Sequence, residues 1–230
     1  MSILFARSGP HEAGCGPCAL CAGTDTSAYS PLQRLLPPGR SRFIARTPRL
    51  VAVPTFGCFT AGYLLVVPRA HVTSFGRLDA ATLAEADELI ATLAARIARV
   101  YGMPALGFEY GNNVPGNRRI EHAHWHLLPS SAVLDGWLAG RSRRQVITSF
   151  AELPDRQDAS YIAVRDQRGR LSAYPVPNSP EQRIRLRRLV AELDPRIDAE
   201  GWDWAARNYP ELIRRTVTDL GPASAPGESR

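Results

Sequence analysis

The sequence predicts an α+β fold, an antiparallel sheet with flanking helices plus a small mixed C-terminal extension. Three observations predict it. Three strand-like apolar runs lie between Arg42 and Pro68, the last two joined by a hairpin-type connection. One long amphipathic helix pattern follows, and then two further strand runs. A second hairpin pattern and two helix starts fill the region past residue 155.

In chain order, residues 22–41 are rich in Pro and small residues and read as a loop with one short helix. The strand runs are Arg42–Arg46, Leu50–Pro54 and Gly62–Pro68, with Thr55–Ala61 as the connection. Asp79 reads as an N-cap. Behind it Leu83, Ala86, Ile90, Leu93, Ile97 and Val100 recur at three- and four-residue steps, one face of a helix that Gly102 ends. Ala105–Tyr110 and Ile120–Leu128 read as strands on either side of the polar turn Gly111–Arg119. Val133–Ala139 has a short helix pattern, and Tyr161–Arg165 with Leu171–Pro175 flanks a turn as a hairpin. Ser179, Pro180 and Gln182 open a helix that runs to Leu193, and Asn208 with Pro210 opens a last one through Leu220. A change of character past Pro129 places a boundary near residue 135. Residues 1–135 are then the main domain, 136–220 an extension and 221–230 a disordered tail.

The chain has 230 residues, 44% hydrophobic and 22% charged, which is ordinary globular composition and excludes collagen-like, disordered and repeat-array classes. No apolar run approaches the ~18 residues of a membrane span, and the first residues lack the apolar stretch and cleavage site of a signal peptide. A soluble, cytoplasmic protein is the expectation. The net charge is +6, and all 28 basic residues are Arg. Residues 1–115 carry 10 Arg against 7 acids and residues 116–230 carry 18 against 15, so the excess is spread and argues against a nucleic acid polymer as partner. Without Lys, neither a Schiff-base nor a P-loop lysine is available.

The chemistry concentrates in two places. Cys15, Cys18 and Cys21 crowd into CGPCALC, a spacing that indicates metal more than disulfides in a chain without an export signal. Cys15 with Cys18, or Cys18 with Cys21, supplies half of a tetrahedral zinc site, and His is the usual source of the rest. The second place is IEHAHWHLLP. His122, His124 and His126 alternate with Ala123, Trp125 and Leu127, so in a strand the imidazoles share one face and Trp125 turns to the core. At about 3.3 Å per residue His122 and His126 stand about 13 Å apart, too far to share one ion with ease. The spacing therefore favours divided labour, one or two ligands and the rest for chemistry.

The string His-Ala-His-Trp-His-Leu-Leu resembles the signature of the histidine triad family. Cys18-Ala-Leu-Cys21 is similar to the Cys pair of its zinc-containing members, and LVAVPTFGCFTAGYLLVVPRAHV to its two strands and Pro-x-x-His segment, ending at His71. The likeness covers residues 15–130, and the C-terminal part, with its WDW, is similar to an extended bacterial branch. The resemblance implies a nucleotide hydrolase or nucleotidyltransferase that attacks the α-phosphorus through a covalent nucleotidyl-His intermediate. His124 would be the nucleophile and His126 a donor to a phosphoryl oxygen or leaving group. Cys18, Cys21, His71 and His122 would hold a structural Zn2+. Asn117, Arg118 and Arg119 would meet the phosphate of a nucleotide or nucleotidylated small molecule, and a homodimer is a common family state. Thr55 stands where many members carry a ribose-binding Asp. Two other classes stay open: a metallohydrolase whose triad holds a catalytic zinc, and a non-catalytic nucleotide-binding module.

Overall fold

The computed structural model describes residues 18, 20–21, 31–111, 122–155, 159–177, 184–203 and 206–222. Its strands are β1 (Ala45–Arg46), β2 (Leu50–Pro54), β3 (Leu64–Pro68), β4 (Ala105–Gly111), β5 (Trp125–Pro129), β6 (Gln145–Ile147), β7 (Ser160–Arg165) and β8 (Leu171–Val176). Its helices are α1 (Ala80–Tyr101), α2 (Leu134–Ala139), α3 (Leu186–Leu193) and α4 (Pro210–Leu220). The strands form one sheet in the order β1-β2-β3-β5-β4-β7-β8-β6, every neighbour antiparallel. The fold is α+β with an antiparallel sheet, as the hairpin patterns predict. The sheet runs on across residue 135, because β7 pairs with β4 from Gly107↔Arg165 to Gly111↔Tyr161.

Local signals place α1 correctly. The Asp79 carboxylate accepts the Thr82 N–H at 2.7 Å, and Gly102 ends the helix at φ 65°, the left-handed region that favours glycine. Leu83, Ala86, Ile90, Leu93 and Ile97 are buried, whereas Val100, the sixth residue of the expected stripe, is 40% exposed at the fraying end. Several boundaries differ from expectation. The strand expected over 42–46 is paired only at 45–46, although Ile44 N–H still reaches Ala52 O at 2.8 Å. The helix expected from Ser179 begins at Leu186 without a side-chain cap, and the cap signals at 179–182 lie outside the described residues. Tyr209, not Asn208, caps α4, with Pro210 in its first turn. The edge strand β6 carries no sequence signal, being three residues long and exposed at two of them.

The histidine strand shows the largest departure. The expected strand 120–128 is hydrogen-bonded only from Trp125, with Val66↔Trp125, Leu65↔His126 and Phe108↔His126 as register pairs. Residues 112–121 lie outside the described residues, and 122–124 precede the ladder. The alternation still sorts the side chains. Trp125 is fully buried, with the Phe75 and Phe150 rings 6.0 and 4.7 Å away. Gly107 on β4 makes room for it, since a Cβ there would stand 2.6 Å from the indole nitrogen. His126 turns to the opposite face, with Phe108 and Leu65.

Asp194, which ends α3, ties the C-terminal part to the end of β5. Its side chain is fully buried, and it accepts from Ser130 Oγ, Ser131 N–H and the Arg196 guanidinium at 2.9, 3.0 and 2.5 Å. Burial alone would raise its pKa, but these donors outweigh it and hold the carboxyl well below the usual carboxylate range. A depressed folded-state pKa contributes stability that is present above the unfolded value near 4 and is lost as pH falls below it. Asp194→Ala leaves the buried Ser130 hydroxyl and the Ser131 N–H without their acceptor and is therefore expected to lose about 2–4 kcal/mol at pH 7. In urea unfolding the gap to the parent should narrow steadily below pH 4, and a gap that widened there would contradict the assignment.

Candidate functional site

Four side chains from three parts of the chain converge at one end of the sheet. Cys18 and Cys21 come from the N-terminal segment, His71 follows β3 and His122 precedes β5. Their ligand atoms all lie within 4.8 Å of one another. Cys21 Sγ stands 3.2 Å from His71 Nδ1 and 3.3 Å from His122 Nδ1, and Cys18 Sγ stands 3.6 Å from His122 Nδ1. Zn–S and Zn–N bonds of about 2.3 and 2.1 Å at a tetrahedral angle put sulfur and nitrogen about 3.6 Å apart, so the donor set fits such an ion. Cys15, the competing partner for Cys18, lies outside the described residues.

His122 is the hub of this cluster. Its Nε2–H donates to Pro68 O at 2.8 Å, which leaves the lone pair on Nδ1, facing the two sulfurs. Burial pushes its pKa down to about 4, so the ring is neutral at pH 7, the form a ligand requires. The Pro68 bond also explains why the ladder starts late. Pro68 has no N–H to pair, its carbonyl is taken by an imidazole, and Ala123 N–H bonds Val72 O at 2.7 Å instead.

His124 lies outside that cluster. It is half-buried, and its Nδ1–H donates to the His122 carbonyl at 2.7 Å, which places the ring lone pair on Nε2. His126 follows at a ring distance of 4.9 Å. It is pinned between two rings: Phe108 stacks on it at 4.6 Å and 17°, and the Tyr63 hydroxyl meets its Nδ1 at 2.8 Å. Two imidazoles of fixed orientation thus lie side by side, next to a separate Cys and His cluster. Such an arrangement can offer one nitrogen as a nucleophile and a neighbouring ring as a proton donor.

Of the residues singled out in the sequence, Cys18, Cys21, His71 and His122 come together, and His124 and His126 stand beside them. Asn117, Arg118 and Arg119 lie outside the described residues. Cys58 is buried filler: its thiol donates to Thr60 O at 3.0 Å, and burial pushes its pKa up to about 11. Sequence reasoning passed over Tyr63 and Phe108. Both sit in apolar runs that read as core, and both are core, with contacts to His126 that only the register creates.

Over residues 39–133 the sequence matches the model of the HIT domain. This stretch is similar to a HIT domain. It takes in His71 and all three histidines of the strand, while Cys18 and Cys21 precede it and α3 and α4 follow it. Among curated proteins none matches. Three solved structures are similar at low scores. A Hit-like protein involved in cell-cycle regulation from Bartonella henselae shares 15% identity, over 43% of this chain and 70% of that one, with a TM-score of 0.35. A Zn-bound histidine triad family protein from Mycobacterium smegmatis shares 19%, over 49% and 73%, at 0.34. A HIT family hydrolase from Clostridium thermocellum shares 19%, over 49% and 90%, at 0.32. No helix among the described residues is long and apolar enough to cross a membrane.

Proposed function

We propose that the chain is a nucleotide hydrolase or nucleotidyltransferase that works at the α-phosphorus through His124. The observation that carries this is the 2.7 Å bond from His124 Nδ1–H to the His122 carbonyl, which fixes the tautomer with its lone pair on Nε2. In the proposed step His124 Nε2 forms a bond to the α-phosphorus while the bond from phosphorus to the leaving group breaks. His126 gives its Nε2 proton to that group or hydrogen-bonds a nonbridging oxygen as charge builds there. Water, phosphate or another acceptor then attacks the nucleotidyl-His124 adduct and releases the nucleotide. Asn117, Arg118 and Arg119 are the proposed phosphate contacts.

Cys18, Cys21, His71 and His122 would hold a zinc ion in a closed Cys2His2 set. When bound, the ion supplies no chemistry to the substrate and fixes the start of the histidine strand. The catalytic-zinc alternative is disfavoured because His122, alone of the three histidines, joins the metal-capable cluster found among the described residues.

The test is a panel of nucleoside phosphoramidates, dinucleoside polyphosphates and nucleoside diphosphates, read by release of mononucleotide. At least one member is expected to turn over and to leave an acid-labile mass adduct on His124. Binding of mononucleotide without any turnover would replace the enzyme by a binding module.

A further inference from the structure

Arg187 belongs to α3, far in sequence from the histidines, and it sits beside Tyr63 at the end of β2 and β3 away from the cysteines. Its guanidinium is a clamp. Nε donates to Trp202 O at 3.1 Å, Nη1 to Thr55 Oγ1 at 3.2 Å and Nη2 to Gly57 O at 2.5 Å. The same group lies 5.0 Å from the Phe59 ring centroid and 5.1 Å from that of Tyr63. Thr55 and Tyr63 are neighbours across the strands, with Thr55 N–H on Tyr63 O at 3.2 Å. All three acceptors are uncharged, and no carboxylate pairs with Arg187 among the described residues. Its charge therefore acts on the neutral groups around it.

We propose that Arg187 is a positioning residue of the histidine site: it holds and polarises Tyr63 so that the phenol donates to His126 Nδ1 and keeps the ring proton on Nε2. A hydrogen bond between a phenol and a neutral imidazole can run either way. If Nδ1 carried the proton, Nε2 would be an acceptor and could not serve an oxyanion or a leaving group. A cation beside the phenol stabilises the charge that gathers on its oxygen as the O–H leans toward an acceptor, so it favours donation by Tyr63. The phenol nevertheless stays neutral: burial pushes its pKa up to about 12, with Arg187 opposing the rise. The stack of Phe108 on His126 prevents the ring from escaping the choice by turning over. Trp202 gains a role as well, since its carbonyl anchors the clamp and its ring lies under the Arg185 guanidinium at 5.4 Å.

This assignment rests on the role proposed above for His126, but its first test does not need turnover. Full-length, zinc-loaded protein labelled with 15N-histidine reports the tautomer of each ring by NMR. In the parent, His126 is expected to show a protonated Nε2 and a hydrogen-bonded, unprotonated Nδ1. Arg187→Met and Tyr63→Phe should each move His126 toward the mixed tautomers of a free imidazole, while Arg188→Met, on the same helix, should not. If Arg187→Met fails to fold, Arg187→Lys decides, because it keeps the charge but loses the fork, and an intermediate shift is expected. With a nucleoside phosphoramidate as probe, kcat should fall roughly 10- to 100-fold with KM little changed, and the Arg187→Met/Tyr63→Phe pair should be no worse than Tyr63→Phe alone. An unchanged His126 tautomer in a folded Arg187 variant, or strictly additive losses, would overturn the assignment. Absence of turnover in the parent would instead overturn the proposed function and leave the tautomer result standing.

Discussion

Replacing His124 by alanine is expected to reduce nucleotide turnover by about 10⁴- to 10⁶-fold, the usual cost of removing a covalent nucleophile. The same variant should keep one zinc per chain and the parent unfolding midpoint. These outcomes come from different parts of the geometry. His124 is half-buried, so its truncation opens no large core cavity, and it precedes the ladder, whose pairs begin at Trp125. Its Nδ1 is bonded to the His122 carbonyl, not to its ring, so His122 keeps its bond to Pro68 and its place beside the sulfurs. Release of mononucleotide, metal analysis and urea unfolding on one preparation would check all of this. A variant with near-parental turnover would refute a His124 nucleophile. A variant that lost turnover and zinc together would revive the triad as a metal site. His124→Asn serves as control for polarity, since it can donate to the carbonyl but lacks a nucleophilic nitrogen.

The parts of the fold that were legible are those decided within one or two turns of chain. Asp79, the stripe from Leu83 to Ile97 and Gly102 define α1 because cap, period and stop are local. The β7–β8 hairpin was legible for a similar reason, since its turn returns at Gly169, with φ 80° and its N–H on Asp166 O at 2.9 Å. The grouping of Cys18, Cys21, His71 and His122 came from the resemblance to the zinc-containing members, because spacing alone left Cys15 with Cys18 open. What stayed hidden depends on partners distant in sequence. Tyr63 meets His126 across 63 positions and Arg187 meets Thr55 across 132, and no periodicity encodes either. The late start of β5 was hidden too, because alternation marks an extended backbone but not whether a neighbour bonds it. The order β5-β4-β7 carries the sheet past residue 135 for the same reason.

Cys21→Ser is expected to lower zinc content from one per chain to near zero and to destabilise the protein by about 4 kcal/mol in zinc-replete buffer. Cys21 bridges the two histidines of the cluster, with its sulfur within 3.3 Å of both His71 and His122 nitrogens. A serine hydroxyl keeps the size but is a poor zinc ligand at neutral pH, where a thiolate forms readily in the field of the ion. A metal that binds only the folded chain contributes about 4 kcal/mol when free zinc exceeds its dissociation constant a thousandfold, and that contribution disappears with the site. The loss should extend to His124. Without the ion, the Nδ1 side of His122 loses its fixed anchor and the Pro68 bond is left to orient the ring, and the carbonyl that fixes the His124 tautomer belongs to the same residue. Turnover is therefore expected to fall as well, by roughly 10- to 100-fold, as for other residues that orient a functional His. Chelation of the parent should reproduce both losses, and added zinc should restore the parent but not the variant. A Cys21→Ser protein with stoichiometric zinc and the parental midpoint would exclude this cluster as the metal site.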